Sequence, residues 1–147
     1  MEDRIAERHR QTKETDISMK LNLDGVGTYE INTGLGFLDH MLTHLSKHSK
    51  IDLSVKASGD LEVDPHHTVE DIGICLGECL LKGLADKKGI TRYGHSSLPM
   101  EDALANVSVD LSGRPACVYN VAYRTEKIGD FDVECLEELL RSLANSG

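Results

Sequence analysis

The chain has 147 residues, 39% of them hydrophobic and 28% charged, and its formal net charge is −9. This balance is too apolar for a disordered chain and fits one compact domain or two small packed halves; the negative charge argues against nucleic-acid and anionic-membrane partners. No run of about 18 apolar residues is present, and the N-terminal MEDRIAERHRQTKET lacks the apolar segment of a secretory signal, so we expect a cytoplasmic protein without membrane spans.

The first predicted elements are a strand, a turn and a second strand. Apolar and polar residues alternate from Ile17 to Leu23, the period-two pattern of a strand with one buried face. Asp24-Gly25 then provides a turn, and a second short strand is expected around Tyr29 and Ile31.

Two helices with a strand between them follow. Apolar residues spaced by three and four predict an amphipathic helix over residues 37–48. Alternation returns over 51–57 and predicts a strand, and a long helical pattern then runs from 66 to about 85. Cys75 and Cys79 lie within that pattern, where core packing is expected rather than a metal or redox role.

The second half begins again with strands. Alternation over 107–111 predicts a strand, SGRP at 112–115 predicts a turn, and 117–123 has strand character. A final helix is expected from about 132 to 144. This order predicts an α+β fold in which each sheet carries its helices on one face.

Two segments in the second half of the chain resemble segments in the first half. MKLNLDG (19–25) resembles NVSVDLSG (106–113), and LDHMLTHL (38–45) resembles LEELLRSL (136–143), which matches His40 to Glu138. We therefore predict one compact domain built of two repeats. The first covers residues 1–90 and includes an N-terminal strand, and an incomplete second covers 91–147. Chance similarity of short helical segments is the alternative.

The segment DPHHTVED (64–71) contains a candidate metal site. On a helix, His66 and Glu70 share a face, whereas His67 is rotated from His66 by about 100° and would serve a different ion or partner. Imidazole and carboxylate suit manganese, iron or zinc, and Asp64 and Asp71 could accept hydrogen bonds that orient the histidines. Alternatively, His66 only begins the helix, and His67 and Glu70 are solvated side chains.

Further candidates lie outside this segment. His40, His44 and His48 have four-residue spacing, so they could share one helix face, either as ligands or as a solvated stripe. Arg92 and Arg114 sit beside glycines at element ends, where a guanidinium can bind phosphate or simply form a surface ion pair.

Glu14, in TKET, is the remaining candidate. Its carboxylate could act as a general base, or it could be part of a solvated first strand.

Taken together, GFLDHMLTHLSKH, DPHHTVEDIGICLGECL, RYG followed by PMEDAL, and DLSGRP resemble the imidazoleglycerol-phosphate dehydratases of histidine biosynthesis, over residues 4–143. The resemblance implies a duplicated half-domain, each half a four-stranded sheet with two helices on one face, similar to domain 2 of ribosomal protein S5. It also implies trimers that assemble into a 24-subunit particle, and two manganese ions (Mn²⁺) in each active site at subunit interfaces.

The resemblance assigns roles position by position. One manganese ion would be bound by His40 and His67, and the other by His66, Glu70 and Glu138. The substrate phosphate would be held by Arg92 and Arg114. Glu14 would be the base that takes a proton from the imidazole glycerol phosphate substrate, and His48 would lie near that substrate.

Parts of the family pattern do not occur in this sequence. A second HHxxE segment, whose first histidine would fall at position 164, a nearby lysine and a Ser/Lys tail are expected but absent from the 147 residues. PMED also inverts the usual acidic order. We therefore expect a chain that lacks its C-terminal third, with a truncated, non-catalytic assembly subunit or pseudoenzyme as the alternative to an active dehydratase. A zinc hydrolase using His66, His67 and Glu70 is a third hypothesis.

Overall fold

The computed structural model describes residues 4–147, so residues 1–3 of the predicted first repeat lie outside the described residues. Four strands form its largest sheet: β1 (Ile5–Gln11), β2 (Thr15–Asn22), β3 (Tyr29–Asn32) and β4 (Asp52–Gly59). Their spatial order is β1-β2-β4-β3. β2 pairs antiparallel with β1 and β4, whereas β3 pairs parallel with β4, so the sheet is mixed.

Two helices, α1 (Gly36–Ser49) and α2 (His66–Leu84), cover one face of this sheet. On β2, Ile17, Met19 and Leu21 are buried in the core, while Lys20 between them is exposed. This alternation is what the sequence pattern requires of a sheet with one covered face. The predicted α+β class and the predicted elements of the first half are confirmed.

The second half contains less regular structure. Its elements are β5 (Tyr93–Met100), β6 (Ala103–Asp110), β7 (Lys127–Ile128), β8 (Phe131–Asp132) and α3 (Cys135–Ser146). The strand at 107–111 and the last helix are confirmed within β6 and α3. The predicted strand at 117–123 is wrong, because the backbone of that segment has no ladder partner among residues 4–147.

The hairpin of β5 and β6 has the same pairing register as the hairpin of β1 and β2. Ile5 pairs with Asn22, and Tyr93 pairs with Asp110, each 88 positions further along the chain. The closing hydrogen bond is also equivalent: the Leu23 amide donates to the Arg4 carbonyl, and the Leu111 amide donates to the Arg92 carbonyl, both at 3.0 Å. The MKLNLDG and NVSVDLSG segments therefore lie in equivalent strands.

The two hairpins differ in what covers them. α2 packs on the first hairpin, whereas every residue of β5 and β6 is exposed. The expectation that each sheet carries its helices on one face is therefore wrong for the second half of the described chain. The physical reason is that α3 packs on α2 and buries Cys135 and Leu139 in the same core as the first sheet.

α2 and α3 run parallel and approach closely through two glycines. The Leu139 backbone and the Ser142 side chain lie against Gly73, and the Leu143 backbone and the Ser146 side chain lie against Gly77. A residue with a Cβ at either glycine would meet the carbonyl oxygen of the facing helix, so GICLG (73–77) sets the distance between the two helices. None of the helices in the described range is long and apolar enough to cross a bilayer.

Candidate functional site

The histidine doublet lies at the start of α2, where both side chains are exposed. The rings of His66 and His67 are inclined by 80°, with 6.0 Å between their centroids. Helical geometry explains this divergence, because consecutive side chains point in different directions. Glu70 is half-buried one turn after His66.

Asp60, which the sequence did not suggest, is the carboxylate that orients His67. Asp60 Oδ2 lies 3.0 Å from His67 Nδ1, and this hydrogen bond raises the pKa of His67. Asp60 Oδ1 is buried without a hydrogen-bond partner. No spacing rule could have found Asp60, since it reaches His67 from the preceding loop rather than from the helix.

The expected role of Asp64 and Asp71 is wrong. Asp64 Oδ1 accepts a hydrogen bond from the backbone amide of His66 at 2.7 Å, so it stabilises the start of α2 instead of orienting a ring. Asp71 points to β1 and β2, where its carboxylate binds Arg10 and Thr15.

A small cavity of about 160 Å³ brings the candidate base together with two of the candidate metal ligands. Glu14, in the turn between β1 and β2, shares this cavity with His67 and Glu70 of α2. Its lining residues are Arg10, Thr12, Glu14, His67, Glu70 and Asp71. The Glu14 carboxylate is also close enough to contribute to the raised pKa of His67. A candidate base thus lies beside two candidate metal ligands.

The three histidines of α1 share one exposed face, as their spacing predicts. The rings of His40 and His44 are 4.4 Å apart between centroids, and His44 Nδ1 lies 3.2 Å from His48 Nε2. Desolvation by its neighbours, together with repulsion from His40 and His48, lowers the pKa of His44. Neutral imidazole is the form that binds metals.

Arg92 and Arg114 lie near one carboxylate at the base of the second hairpin. Arg92 donates to both oxygens of Asp110, at 2.7 and 3.1 Å. Arg114 is exposed and close enough to help lower the pKa of Asp110, after the larger effect of Arg92. Neither arginine lines the cavity that contains Glu14.

Glu138 lies in the first turn of α3, half-buried. Because α3 runs parallel to α2, this turn lies at the same end of the helix pair as the histidine doublet. No cluster of three or more His, Cys, Asp or Glu side chains that could hold a metal ion occurs in residues 4–147. The two predicted ligand sets, His40 with His67 and His66 with Glu70 and Glu138, therefore stay predictions.

Comparison with known sequences gives a consistent family match. The profile described as "Imidazoleglycerol-phosphate dehydratase" matches residues 33–147. The imidazoleglycerol-phosphate dehydratase of Ruegeria sp. (strain TM1040) is 54% identical over 144 residues, which cover 98% of this chain and 74% of the relative. That of Clostridium botulinum (strain Hall) is 53% identical over 148 residues, which cover 100% of this chain and 76% of the relative.

Solved structures agree with the sequence match. Imidazoleglycerol-phosphate dehydratase from Staphylococcus aureus superposes with a TM-score of 0.86 at 40% identity, covering 97% of this chain and 78% of that one. The enzyme from Pyrococcus furiosus, solved in complex with (S)-C348, superposes with a TM-score of 0.80 at 39% identity, covering 95% and 73% respectively.

Proposed function

Because the chain belongs to the imidazoleglycerol-phosphate dehydratase family, we propose that the residues described above carry out that family's reaction in this chain. The enzyme is a hydro-lyase of histidine biosynthesis, which removes water from imidazole glycerol phosphate and gives imidazole acetol phosphate. The observation that carries the assignment of roles is the cavity shared by Glu14, His67 and Glu70.

The Glu14 carboxylate is the base in this proposal. Dehydration breaks a C–H bond on the middle carbon of the glycerol chain, one carbon away from the ring-bearing carbon. The electron pair forms a C=C bond to the ring-bearing carbon as the hydroxyl on that carbon leaves with a proton as water, and the hydroxyl kept on the middle carbon makes the product an enol. The enol product then becomes the ketone. Glu14 accepts the carbon-bound proton on a carboxylate oxygen, and its exposed position in a hairpin turn lets the substrate approach it directly.

The donor atoms at this site fit a metal ion. Asp60 holds His67 Nδ1, which leaves Nε2 as the ring nitrogen for a cation, the arrangement usual for histidine ligands. Imidazole and carboxylate together suit manganese, and the family is metal-dependent. We assign one Mn²⁺ to His40 and His67, and a second to His66, Glu70 and Glu138. When bound, the two ions stabilise negative charge on the imidazole of the substrate.

Arg92 and Arg114 hold the substrate phosphate in this proposal. Arg92 already binds a carboxylate through two N–H groups, which is the geometry that a phosphate also requires. The phosphate would replace Asp110 as the partner of Arg92, while Arg114 adds a second positive charge. His48, at the end of the α1 histidine row, is assigned to the substrate.

Assembly completes the metal sites in this proposal. Fewer than three donors converge in any cluster of residues 4–147, and we propose that neighbouring subunits supply the others. We propose trimers that build a 24-subunit particle in the cytoplasm, with no nucleic-acid partner. The matched registers of the two hairpins support two repeats, the first over residues 1–90 and the second beginning at residue 91.

Steady-state turnover of imidazole glycerol phosphate with Mn²⁺ tests the proposal. Glu14→Gln should lower kcat by about a hundredfold or more while Mn²⁺ still binds, because only the base is lost. Glu30→Gln, which changes an exposed carboxylate of β3, is the matched control and should leave kcat unchanged. If the wild-type chain binds Mn²⁺ and assembles but shows no turnover, the non-catalytic assembly subunit is the correct description.

A further inference from the structure

Asp71 is a buried carboxylate that the proposed reaction does not use directly. Only 8% of its side chain is exposed, although it lies one residue after Glu70. Asp71 Oδ1 accepts a hydrogen bond from Arg10 Nε at 2.8 Å, and Oδ2 accepts one from Thr15 Oγ1 at 2.5 Å. Both donors lie on the first hairpin, so this carboxylate ties α2 to β1 and β2.

The same hydrogen bonds continue into the turn that carries Glu14. Thr15 lies directly after Glu14 and is itself buried. The backbone amides of Glu14 and Thr15 both donate to Thr12 Oγ1, at 3.1 and 3.0 Å, and the two threonine hydroxyls lie 3.2 Å apart. The Thr12 amide closes the turn by donating to the Thr15 carbonyl at 2.9 Å. The backbone of Glu14 is therefore fixed on both sides.

We propose that Asp71, acting through Thr15, is a positioning residue that holds the base Glu14 at a fixed place relative to His67 and Glu70. This inference rests on the proposed function for its catalytic consequence. Asp71 is not a catalytic residue here, because both of its oxygens are already bound to Arg10 and Thr15.

The geometry explains why a carboxylate is required at this position. Asp71 accepts from two donors that approach different oxygens, which an amide side chain cannot do, since one of its two polar atoms is a donor. Because α2 also carries His67 and Glu70, a single helix fixes the metal ligands and, through Asp71, the base. A displacement of about 1 Å can lower a catalytic rate about a hundredfold, so this connection matters for turnover.

Thr15→Val is the central variant of the test, with Thr15→Ser as its matched control. Valine keeps the branched outline of threonine but removes the hydroxyl, and with it the contacts to Asp71 and to Thr12 Oγ1. The hydrogen bond from Arg10 to Asp71 does not involve Thr15. Asp71→Asn is a second variant, which perturbs both contacts. The measurements are kcat and KM with Mn²⁺, Mn²⁺ affinity, and the NMR-detected exchange rate of the Glu14 amide.

In Thr15→Val we expect the Glu14 amide to exchange about five to ten times faster, and kcat to fall about ten- to a hundredfold, with KM and Mn²⁺ affinity nearly unchanged. In Thr15→Ser, which keeps the hydroxyl, the Glu14 amide exchange rate and kcat should stay close to their wild-type values. In a Glu14→Gln background, Thr15→Val should have no further effect on kcat, because a positioning residue acts only through the group it positions.

Two results would overturn the inference. One is an unchanged Glu14 amide exchange rate in both Thr15→Val and Asp71→Asn, which is measurable even if the chain shows no turnover. The other is a fall in kcat that persists undiminished in the Glu14→Gln background. Absence of turnover in the wild type, with faster amide exchange in Thr15→Val, would remove the proposed function and leave the structural connection standing.

Discussion

The close approach of α2 and α3 gives a quantitative prediction. A Cβ at Gly73 would lie 2.6 Å from the Leu139 carbonyl oxygen and 2.9 Å from Ser142 Cβ. Backbone cannot rotate away as a side chain can, so Gly73→Ala must move α3, and such overpacking costs about 1–3 kcal/mol. The better helix propensity of alanine offsets about 1 kcal/mol of this. We expect Gly73→Ala to lower the free energy of unfolding by up to about 2 kcal/mol.

Gly83→Ala is the matched control in the same helix. Its Cβ would lie 3.0 Å from Leu23 Cδ1, the far end of a flexible side chain. The propensity gain is the same for both variants, so urea unfolding followed by circular dichroism should separate them by about 1–3 kcal/mol. Gly77→Ala, with a Cβ 2.5 Å from the Leu143 carbonyl, should behave like Gly73→Ala. Equal stability of Gly73→Ala and Gly83→Ala would show that the glycines do not set the helix distance.

Three further predictions concern titratable groups. Asp60→Asn should lower the pKa of His67 toward its ordinary value, which an NMR titration measures. The same variant should weaken Mn²⁺ binding about 10–100-fold. An unchanged His67 pKa would contradict the assigned hydrogen bond. Burial raises the pKa of Cys75 to about 12 and of Cys79 and Cys135 to about 11. Cys117 is only partly buried, so it should react first with a thiol reagent. Faster labelling of Cys75 than of Cys117 would refute this burial. Hydrogen bonds from Arg4 lower the pKa of Asp24 to about 2. The stabilisation from this contact is therefore fully present above the ordinary pKa of an aspartate, and it is lost as the pH falls toward 2. In Arg4→Gln the pKa of Asp24 should rise, and a value that stays near 2 would exclude Arg4 as the cause.

The first half could be predicted from sequence because its elements have strong periodic patterns. The alternation around Ile17–Leu23 and the helical spacing of α1 each report a buried face, and the structure buries those faces. The divergence of His66 and His67 also followed from helix geometry alone.

The remainder depended on contacts between residues distant in sequence. Asp60 reaches His67 from a loop, and Asp71 turns away from the histidines because Arg10 and Thr15 of the hairpin lie within its reach. The segment 117–123 has the composition of a strand but no ladder partner within residues 4–147. The apolar face of α3 does not by itself select a partner among the apolar surfaces of the chain. Gly73 and Gly77 allow the backbone of α3 to approach α2 closely, and this contact is not evident from the pattern of α3.

The packing of α3 on α2 also has a consequence for the order of folding. The sheet, α1 and α2 are complete in the chain well before α3 has been synthesised, and their strand pairings close shorter loops than the contact of Gly73 with Leu139. Closure of that longer loop costs more entropy, so α3 should join a sheet that has already formed. The helix that carries Glu138 would then arrive last, and the candidate metal ligands of α2 would be in place before it.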